Sequence, residues 1–186
     1  MNNAFFCKYF QSINEAVLSL DTKSLVQIAD LVVTASANSS KIILVGNGGS
    51  AAMASHVAVD FTKAARVRAV NFNEADLITC FSNDYGYDQW VAEALKSYAD
   101  PGDLVILISS SGRSPNIINA ALQAKQMGLQ VVTLSGFSSD NQLRKLGDIE
   151  LWVDSAEYNV VEMSHHIWLL AIVDYVIAAN SKEGKK

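Results

Sequence analysis

The chain has 186 residues, 50% hydrophobic and 18% charged, a length that suits one sizeable core better than two. Its net charge of −5, without a stripe of basic residues, argues against direct binding to a nucleic-acid backbone. Cys7 and Cys80 lie far apart, which fits a reducing compartment better than a disulfide framework. The sequence therefore predicts a cytoplasmic protein in which residues 1–186 form a single domain.

Helices are predicted at both ends of the chain, at about 3–37 and about 160–180. The first helix carries an apolar stripe of Phe5, Phe6, Tyr9, Phe10, Ile13, Val17 and Leu20. Core packing is the ordinary explanation of such a stripe, and the alternative is that both terminal helical segments form oligomer contacts. The apolar stretch 167–179 contains Asp174 and is shorter than the roughly 20 residues of a membrane span, so we interpret it as a buried helix.

Short apolar runs alternate with longer helical patterns between these ends. The runs are 41–45, 67–72, 104–108, 130–134 and 149–153. Continuous apolar runs of this length are typical of parallel strands buried on both faces. The sequence therefore predicts an α/β fold with helices packed on a parallel sheet.

Two polar loops follow two of these strands, GNGGS at 46–50 and SSSGRSPN at 109–116. In the second loop, Ser114 is placed to cap a helix and Pro115 to begin it, so free backbone N–H groups and the helix dipole favour an anion there. Neither loop matches the patterns of nucleoside triphosphate or dinucleotide sites. Serine-rich turns often only reverse a chain, but two of them in one domain favour a cradle for a single phosphate.

Several stretches resemble a known family. They are GNGGS at 46–50, FSNDYGYD at 81–88, PGDLVILISSSGRSPNI at 101–117 and GLQVVTLSG at 128–136. Together they resemble the sugar isomerase (SIS) domain family, in its phosphoheptose isomerase branch, over essentially the whole chain. The resemblance implies a flavodoxin-like three-layer sandwich with a central parallel sheet of about five strands. It also implies a homotetramer with active sites at subunit interfaces and a sugar phosphate as ligand.

The resemblance assigns ligand contacts by position. The residues that would contact the phosphosugar are Asn47, Gly48, Ser50, Asp84, Ser109, Ser110, Ser111 and Ser114. Among them, the four serines of the second loop would bind the phosphate, and the first loop would lie near the sugar. Arg113 stands where the family commonly has an asparagine, and it either reinforces phosphate binding or points into solvent.

Aldose–ketose isomerisation needs a base, a group that moves protons between the oxygens and a stabiliser of the enediolate. The resemblance implies that a glutamate and a histidine do this work near a zinc ion. Here Asp60 stands at the glutamate position and Leu170 at the histidine position, and Leu170 cannot transfer a proton. His166, four residues from both Glu162 and Leu170, is the candidate replacement, so the candidate catalytic residues are Asp60, His166 and Glu162.

A metal site is the next expectation. His56 matches a metal-ligand histidine of the family and lies one helical turn before Asp60, and Glu162 stands at the position of a ligating glutamine. These three residues would leave an open position, which zinc tolerates. Two carboxylates are harder ligands than the family's set, so another divalent ion, or no metal, is the alternative. His165 and His166 also suit an oligomer interface, and Asp60 a surface ion pair.

Three functions follow from these residues. The first is isomerisation of a heptose phosphate, such as sedoheptulose 7-phosphate, for surface polysaccharide synthesis. The second is phosphosugar binding with altered or lost catalysis, because Asp60 and Leu170 both change the proton-transfer pair. The third is a tetrameric regulator resembling the SIS protein that binds the bacterial replication initiator. The expected partners are a sugar phosphate and further copies of this chain, without nucleic acid or membrane.

Overall fold

The structure, a computed structural model, describes residues 3–183. A parallel sheet of five strands lies at its centre. The strands are β1 (Ile42–Gly46), β2 (Ala69–Asn71), β3 (Leu104–Ser109), β4 (Gln130–Ser135) and β5 (Ile149–Trp152). They are ordered β2-β1-β3-β4-β5, and every neighbouring pair is parallel. In this flavodoxin-like order the chain changes direction across the sheet between β1 and β3, so a crevice opens at their carboxyl ends.

Helices cover both faces of the sheet. They are α1 (Asn3–Leu18), α2 (Thr22–Ala37), α3 (Gly49–Lys63), α4 (Ala75–Tyr85), α5 (Trp90–Tyr98), α6 (Pro115–Gln126) and α7 (Tyr158–Glu183), with a 3-10 helix at Leu143–Leu146. The predicted α/β class with a parallel sheet of about five strands is confirmed. The run 67–72 gives a strand of only three residues, because β2 is an edge strand that pairs with β1 only from Ala69 to Asn71.

The alternation of side chains along the strands divides the core in two. Ile42 and Leu44 face the layer of α2, α3 and α7, whereas Ile43 and Val45 face the layer of α5 and α6. All residues of β1 and β3 are buried, as expected for central parallel strands. The two cores hold β1 and β3 from both sides, and thereby fix the crevice at their ends.

The last helix, α7, packs into the first of these cores. Its residues Trp168, Leu169, Ile172, Val173 and Val176 are buried there. Its length and composition would also allow it to cross a membrane, but half of that apolar stretch is buried within the fold. This packing is that of a core helix, as the sequence predicted.

Helix α1 lies against α7 and leaves its three phenylalanines exposed to solvent. Phe5, Phe6 and Phe10 are 66%, 56% and 64% exposed, while Val17 and Leu20 pack against the core. Core packing within one chain therefore explains only the C-terminal part of the predicted stripe. The N-terminal part is an exposed apolar surface of the kind that a second chain covers.

A buried ion pair closes the sheet at the end opposite the crevice. Asp103 is 1% exposed, and its carboxylate accepts hydrogen bonds from the backbone N–H groups of Lys41 and Asp100, each at 2.8 Å. The Lys41 ammonium lies 2.6 Å from the carboxylates of both Asp100 and Asp103. Burial acts to lower the pKa of Lys41, but the two carboxylates outweigh it, so that the pKa is raised.

We expect Asp103→Ala to destabilise the fold by about 3 kcal/mol, because the buried Lys41 ammonium keeps only the exposed Asp100 as its partner and two backbone N–H groups lose their acceptor. Urea unfolding measures this change. Glu93→Ala is the control, since it removes an exposed pair with Lys96 and is expected to cost less than about 1 kcal/mol. Equal losses in the two variants would contradict this role of Asp103.

Candidate functional site

The crevice between β1 and β3 contains a polar cavity of about 120 Å³. Its lining residues are Asn47, Ser50, Ile108, Ser109, Ser110, Ser111, Ser114, Tyr158 and Glu162. The structure thus brings together six of the eight residues expected to contact the phosphosugar, and adds Glu162 from α7. Tyr158 was not predicted, because nothing local in the sequence shows that the first turn of α7 reaches these loops.

The first loop lets a carboxylate approach the start of α3. Gly48 caps α3 with a φ of 54°, a conformation that suits glycine. A side chain at Gly49 would overlap the carboxylate of Glu162. The run of glycines therefore places Glu162 against a helix N-terminus, where backbone N–H groups and the helix dipole favour negative charge.

The second loop is held in shape by hydrogen bonds and close packing. The hydroxyls of Ser109 and Ser114 lie 2.9 Å apart. Ser114 stands at the N-cap of α6 as predicted, but its hydroxyl pairs with Ser109 and makes no bond to the helix backbone. Gly112 has a φ of 63°, and a side chain there would overlap Asn141, which is buried. The serine hydroxyls are thus fixed around the cavity before any ligand binds.

This cavity is not lined by the other two of the eight expected contacts, Gly48 and Asp84, or by the side chain of Arg113. Asp84 is exposed on the last turn of α4, and its carboxylate accepts a hydrogen bond from the Asn83 side chain at 2.9 Å. Arg113 is exposed as well, and only its backbone N–H contacts the loop, at 3.3 Å from the Ser111 hydroxyl. Neither side chain lines the cavity formed by this single chain.

A second cluster of polar side chains lies between α3 and α7. His56 Nδ1 is 3.0 Å from His166 Nε2, and His56 Nε2 is 3.2 Å from the Asp60 carboxylate. Burial, followed by the charge of His56, lowers the pKa of His166, and Asp60 opposes the shift. His166 lies one helical turn from Glu162, so this cluster is adjacent to the cavity without lining it.

The three side chains expected to hold a metal are not brought together. Glu162 lies beside Ser110, whose hydroxyl is 3.4 Å from its carboxylate, whereas His56 is engaged by Asp60 and His166. Within residues 3–183, no three His, Cys, Asp or Glu side chains are arranged to hold a metal ion. The residues present do not fit the zinc site that the family resemblance implies, and we assign no catalytic step to a metal.

His165 is a structural residue. It is fully buried, and its Nε2 donates a hydrogen bond to the Ser135 carbonyl at 3.0 Å. Its Nδ1 is buried without a hydrogen-bond partner. Burial, only partly offset by the Ser135 bond, lowers the pKa of His165 to about 4. The imidazole is therefore neutral near pH 7 and faces the sheet, away from solvent.

Two further residues that the sequence did not indicate, Asn116 and Tyr87, bind the side chain of Asn47. They come from α6 and from the loop between α4 and α5. They are separated from Asn47 by 69 and 40 positions, so no local pattern relates them to it.

The burial of His165 predicts a pH-dependent stability. The folded chain does not bind a proton at His165 above about pH 4, whereas the unfolded chain binds one below about pH 6.5. Stability should therefore fall as the pH falls through this window, by about 2 kcal/mol between pH 7 and pH 5. In His165→Leu, the free energy of unfolding measured in urea should therefore fall by about 2 kcal/mol less than in the wild type between pH 7 and pH 5. His56→Gln, at an exposed histidine, should keep most of the pH dependence, and an unchanged pH dependence in His165→Leu would contradict the assignment.

Comparison with known proteins agrees with this geometry. A model of the SIS domain matches residues 5–136. The probable phosphoheptose isomerase of Thermoplasma acidophilum is 34% identical over 165 residues, which cover 85% of this chain and 90% of that protein. The phosphoheptose isomerase of Mycobacterium tuberculosis is 33% identical over 156 residues, which cover 80% and 79% of the two chains.

Solved structures are similar over nearly the whole chain. Phosphoheptose isomerase GmhA from Neisseria gonorrhoeae matches with a TM-score of 0.85 and 29% identity, covering 93% of this chain and 96% of its own. A phosphoheptose isomerase from Francisella tularensis matches with a TM-score of 0.87 and 25% identity, covering 96% and 100%. The chain therefore belongs to the SIS domain family, as its resemblance to that family predicted.

Proposed function

We propose that this protein is a phosphosugar isomerase that interconverts the aldose and ketose forms of a heptose phosphate such as sedoheptulose 7-phosphate. The observation that carries the proposal is the cavity in which the serine loop and the carboxylate of Glu162 meet. The relatives named phosphoheptose isomerase, at 33–34% identity over most of the chain, support this choice of substrate.

The serine loop is the phosphate site in this proposal. Ser109, Ser110, Ser111 and Ser114 line the cavity and offer hydroxyl donors, and the N-terminus of α6 adds the positive end of its dipole. No Lys or Arg is among the described lining residues, so neutral donors bind the phosphate. Since phosphate oxygens accept several hydrogen bonds, a cluster of hydroxyls with fixed positions suits a monoester.

Glu162 is the base that the geometry favours. Its carboxylate is the single one among the described residues that line the cavity, and it lies beside the serine hydroxyls. It would take the proton from the carbon beside the carbonyl, which leaves an enediolate, and return the proton to the neighbouring carbon. Asp60, the position-matched candidate, is instead paired with His56, one turn of α3 away.

His166 is the candidate for moving the proton between the two oxygens of the enediolate. Its Nε2 is 3.0 Å from His56, whose other nitrogen contacts Asp60, so the three groups form a connected chain of proton donors and acceptors. Because His166 is one turn from Glu162 on α7, a sugar that extends from the phosphate site past Glu162 would reach it. Asp60 and His56 would then orient His166.

A sugar-phosphate binding protein without isomerase activity is the second candidate. It is favoured by one observation, that no histidine is among the described residues lining the cavity, while Leu170 stands at the position of the family's catalytic histidine. Such a protein would need the serine loop but not Glu162.

The protein would act in the cytoplasm as a homotetramer, in a pathway that supplies sugars for surface polysaccharides. The exposed Phe5, Phe6 and Phe10 of α1 support an assembly of several copies. A role as a tetrameric protein-interaction regulator would use the same outer surface, and no feature of the described residues favours it over the sugar-phosphate site.

Replacing the proposed base should remove turnover and retain binding. In Glu162→Gln we expect kcat to fall at least about a hundredfold, with KM for sedoheptulose 7-phosphate within about threefold, because the amide keeps the shape but cannot accept the proton. Steady-state formation of the aldose phosphate measures both constants. Glu157→Gln, a surface carboxylate just before α7, is the control and should retain wild-type kcat. A Glu162→Gln variant with wild-type kcat would contradict the assignment.

Removing one hydroxyl of the serine loop should weaken phosphate binding. We expect Ser110→Ala to raise the dissociation constants of inorganic phosphate and sedoheptulose 7-phosphate by similar factors, about tenfold, because one charge-assisted hydrogen bond is lost. Isothermal titration calorimetry measures both ligands. Ser55→Ala, on α3 outside the cavity, is the control. If Ser110→Ala weakened only the binding of the sugar phosphate, and not that of inorganic phosphate, this loop would not be the phosphate site.

A further inference from the structure

We propose that Asn116 is a positioning residue that fixes the side-chain amide of Asn47, so that Asn47 offers the bound sugar one N–H donor. This proposal rests on the proposed function, because it concerns how the same cavity recognises the sugar part of the ligand. Neither the family resemblance nor any pattern in the sequence assigned a role to Asn116.

The two amides form a reciprocal pair across the site. Asn47 Nδ2 donates to Asn116 Oδ1 at 3.0 Å, and Asn116 Nδ2 donates back to Asn47 Oδ1 at 2.9 Å. The Tyr87 hydroxyl donates to the same Asn47 Oδ1 at 3.2 Å. The pair joins the loop after β1, which contributes Asn47 to the cavity, to the first turn of α6, which directly follows the serines of the second loop.

The hydrogen-bonding capacity of Asn47 leaves one group for a ligand. A side-chain amide has two acceptor positions on its oxygen and two N–H donors. Asn116 and Tyr87 occupy both acceptor positions, and Asn116 also takes one N–H. Since Asn47 lines the cavity, its remaining N–H is the group available to the sugar. That donor suits a carbonyl or enediolate oxygen, where negative charge develops during isomerisation.

Asn116 is placed to hold this orientation. It is 1% exposed, and Pro115 fixes the start of the helix on which it lies. If the amide of Asn47 turned over alone, its oxygen would face the oxygen of Asn116 and its NH₂ group would face the other NH₂ group. Both hydrogen bonds of the pair would then become repulsive contacts in a buried place, where unpaired polar groups are costly. Asn116 therefore restrains the amide of Asn47, because the two amides could turn over only together.

The test compares two ligands in a double-mutant cycle. The dissociation constants of sedoheptulose 7-phosphate and of inorganic phosphate are measured by titration calorimetry for wild type, Asn47→Ala, Asn116→Ala and the double variant. We expect Asn116→Ala to weaken the sugar phosphate about tenfold and inorganic phosphate less than twofold, because only the sugar meets Asn47. If Asn116 acts through Asn47, the double variant binds no more weakly than Asn47→Ala.

Two further variants separate positioning from loss of structure. Asn119 lies one turn along α6 and donates a hydrogen bond from its side-chain amide to the Asp88 carbonyl, so Asn119→Ala should keep both affinities within about twofold. Asn116→Ser keeps a small polar side chain in the buried place but cannot form the reciprocal amide pair, and it should weaken the sugar phosphate selectively, as Asn116→Ala does. If Asn116→Ala does not fold, Asn116→Ser takes its place in the double-mutant cycle.

Three results would overturn the proposal: equal weakening of both ligands in Asn116→Ala, additive losses in the double variant, or an unchanged sugar-phosphate affinity in Asn116→Ser. A wild-type protein that binds the sugar phosphate no more tightly than inorganic phosphate would also overturn it. Because all of these readouts are affinities, a protein that binds but does not isomerise refutes the proposed function and still tests the role of Asn116.

Discussion

The change of chain direction between β1 and β3 is the constraint on which the site depends. At this point α3 and α6 begin on opposite faces of the sheet, and their N-termini meet at one crevice. Two sets of backbone N–H groups and two helix dipoles therefore favour negative charge in the same small volume. The glycines of the first loop and the serines of the second make this volume accessible to a ligand and line it with donors.

Helix α7 completes the site from outside this pair of loops. It is anchored in the core by residues such as Trp168 and Leu169, and its first two turns carry Tyr158 and Glu162 to the cavity. Gly49 is what allows the carboxylate of Glu162 to lie against α3. The same helix brings His166 to His56 one turn further on. A single helix thus places the carboxylate of Glu162 beside the serine-rich loop and His166 beside His56.

Local sequence patterns predicted most of the fold and the position of the serine-rich loop before α6. Apolar runs identified the strands, and Ser114 followed by Pro115 identified the start of α6, because these signals depend on neighbouring residues only. The contacts of α7 could not be predicted in this way. The positions of Glu162 against Gly49 and of Asn116 against Asn47 depend on how distant elements pack.

The packing of distant elements also decides which of the expected catalytic and metal-binding residues lie together. Helical spacing correctly placed His56 beside Asp60, since the two share one face of α3. Spacing alone did not show that the second partner of His56 would be His166 while Glu162 turned to the serine loop. The chain therefore forms a cluster of His56, Asp60 and His166 beside a contact between Glu162 and Ser110, where the family pattern predicted a metal site.

The central claim is that the cavity both binds a sugar phosphate and moves a proton on it. The most direct measurement is NMR spectroscopy of sedoheptulose 7-phosphate incubated with the wild-type protein in deuterated buffer. The account predicts deuterium at the carbon beside the carbonyl, together with the aldose phosphate, because Glu162 exchanges its proton with solvent while the enediolate is bound. Tight binding without either deuterium or aldose would contradict it.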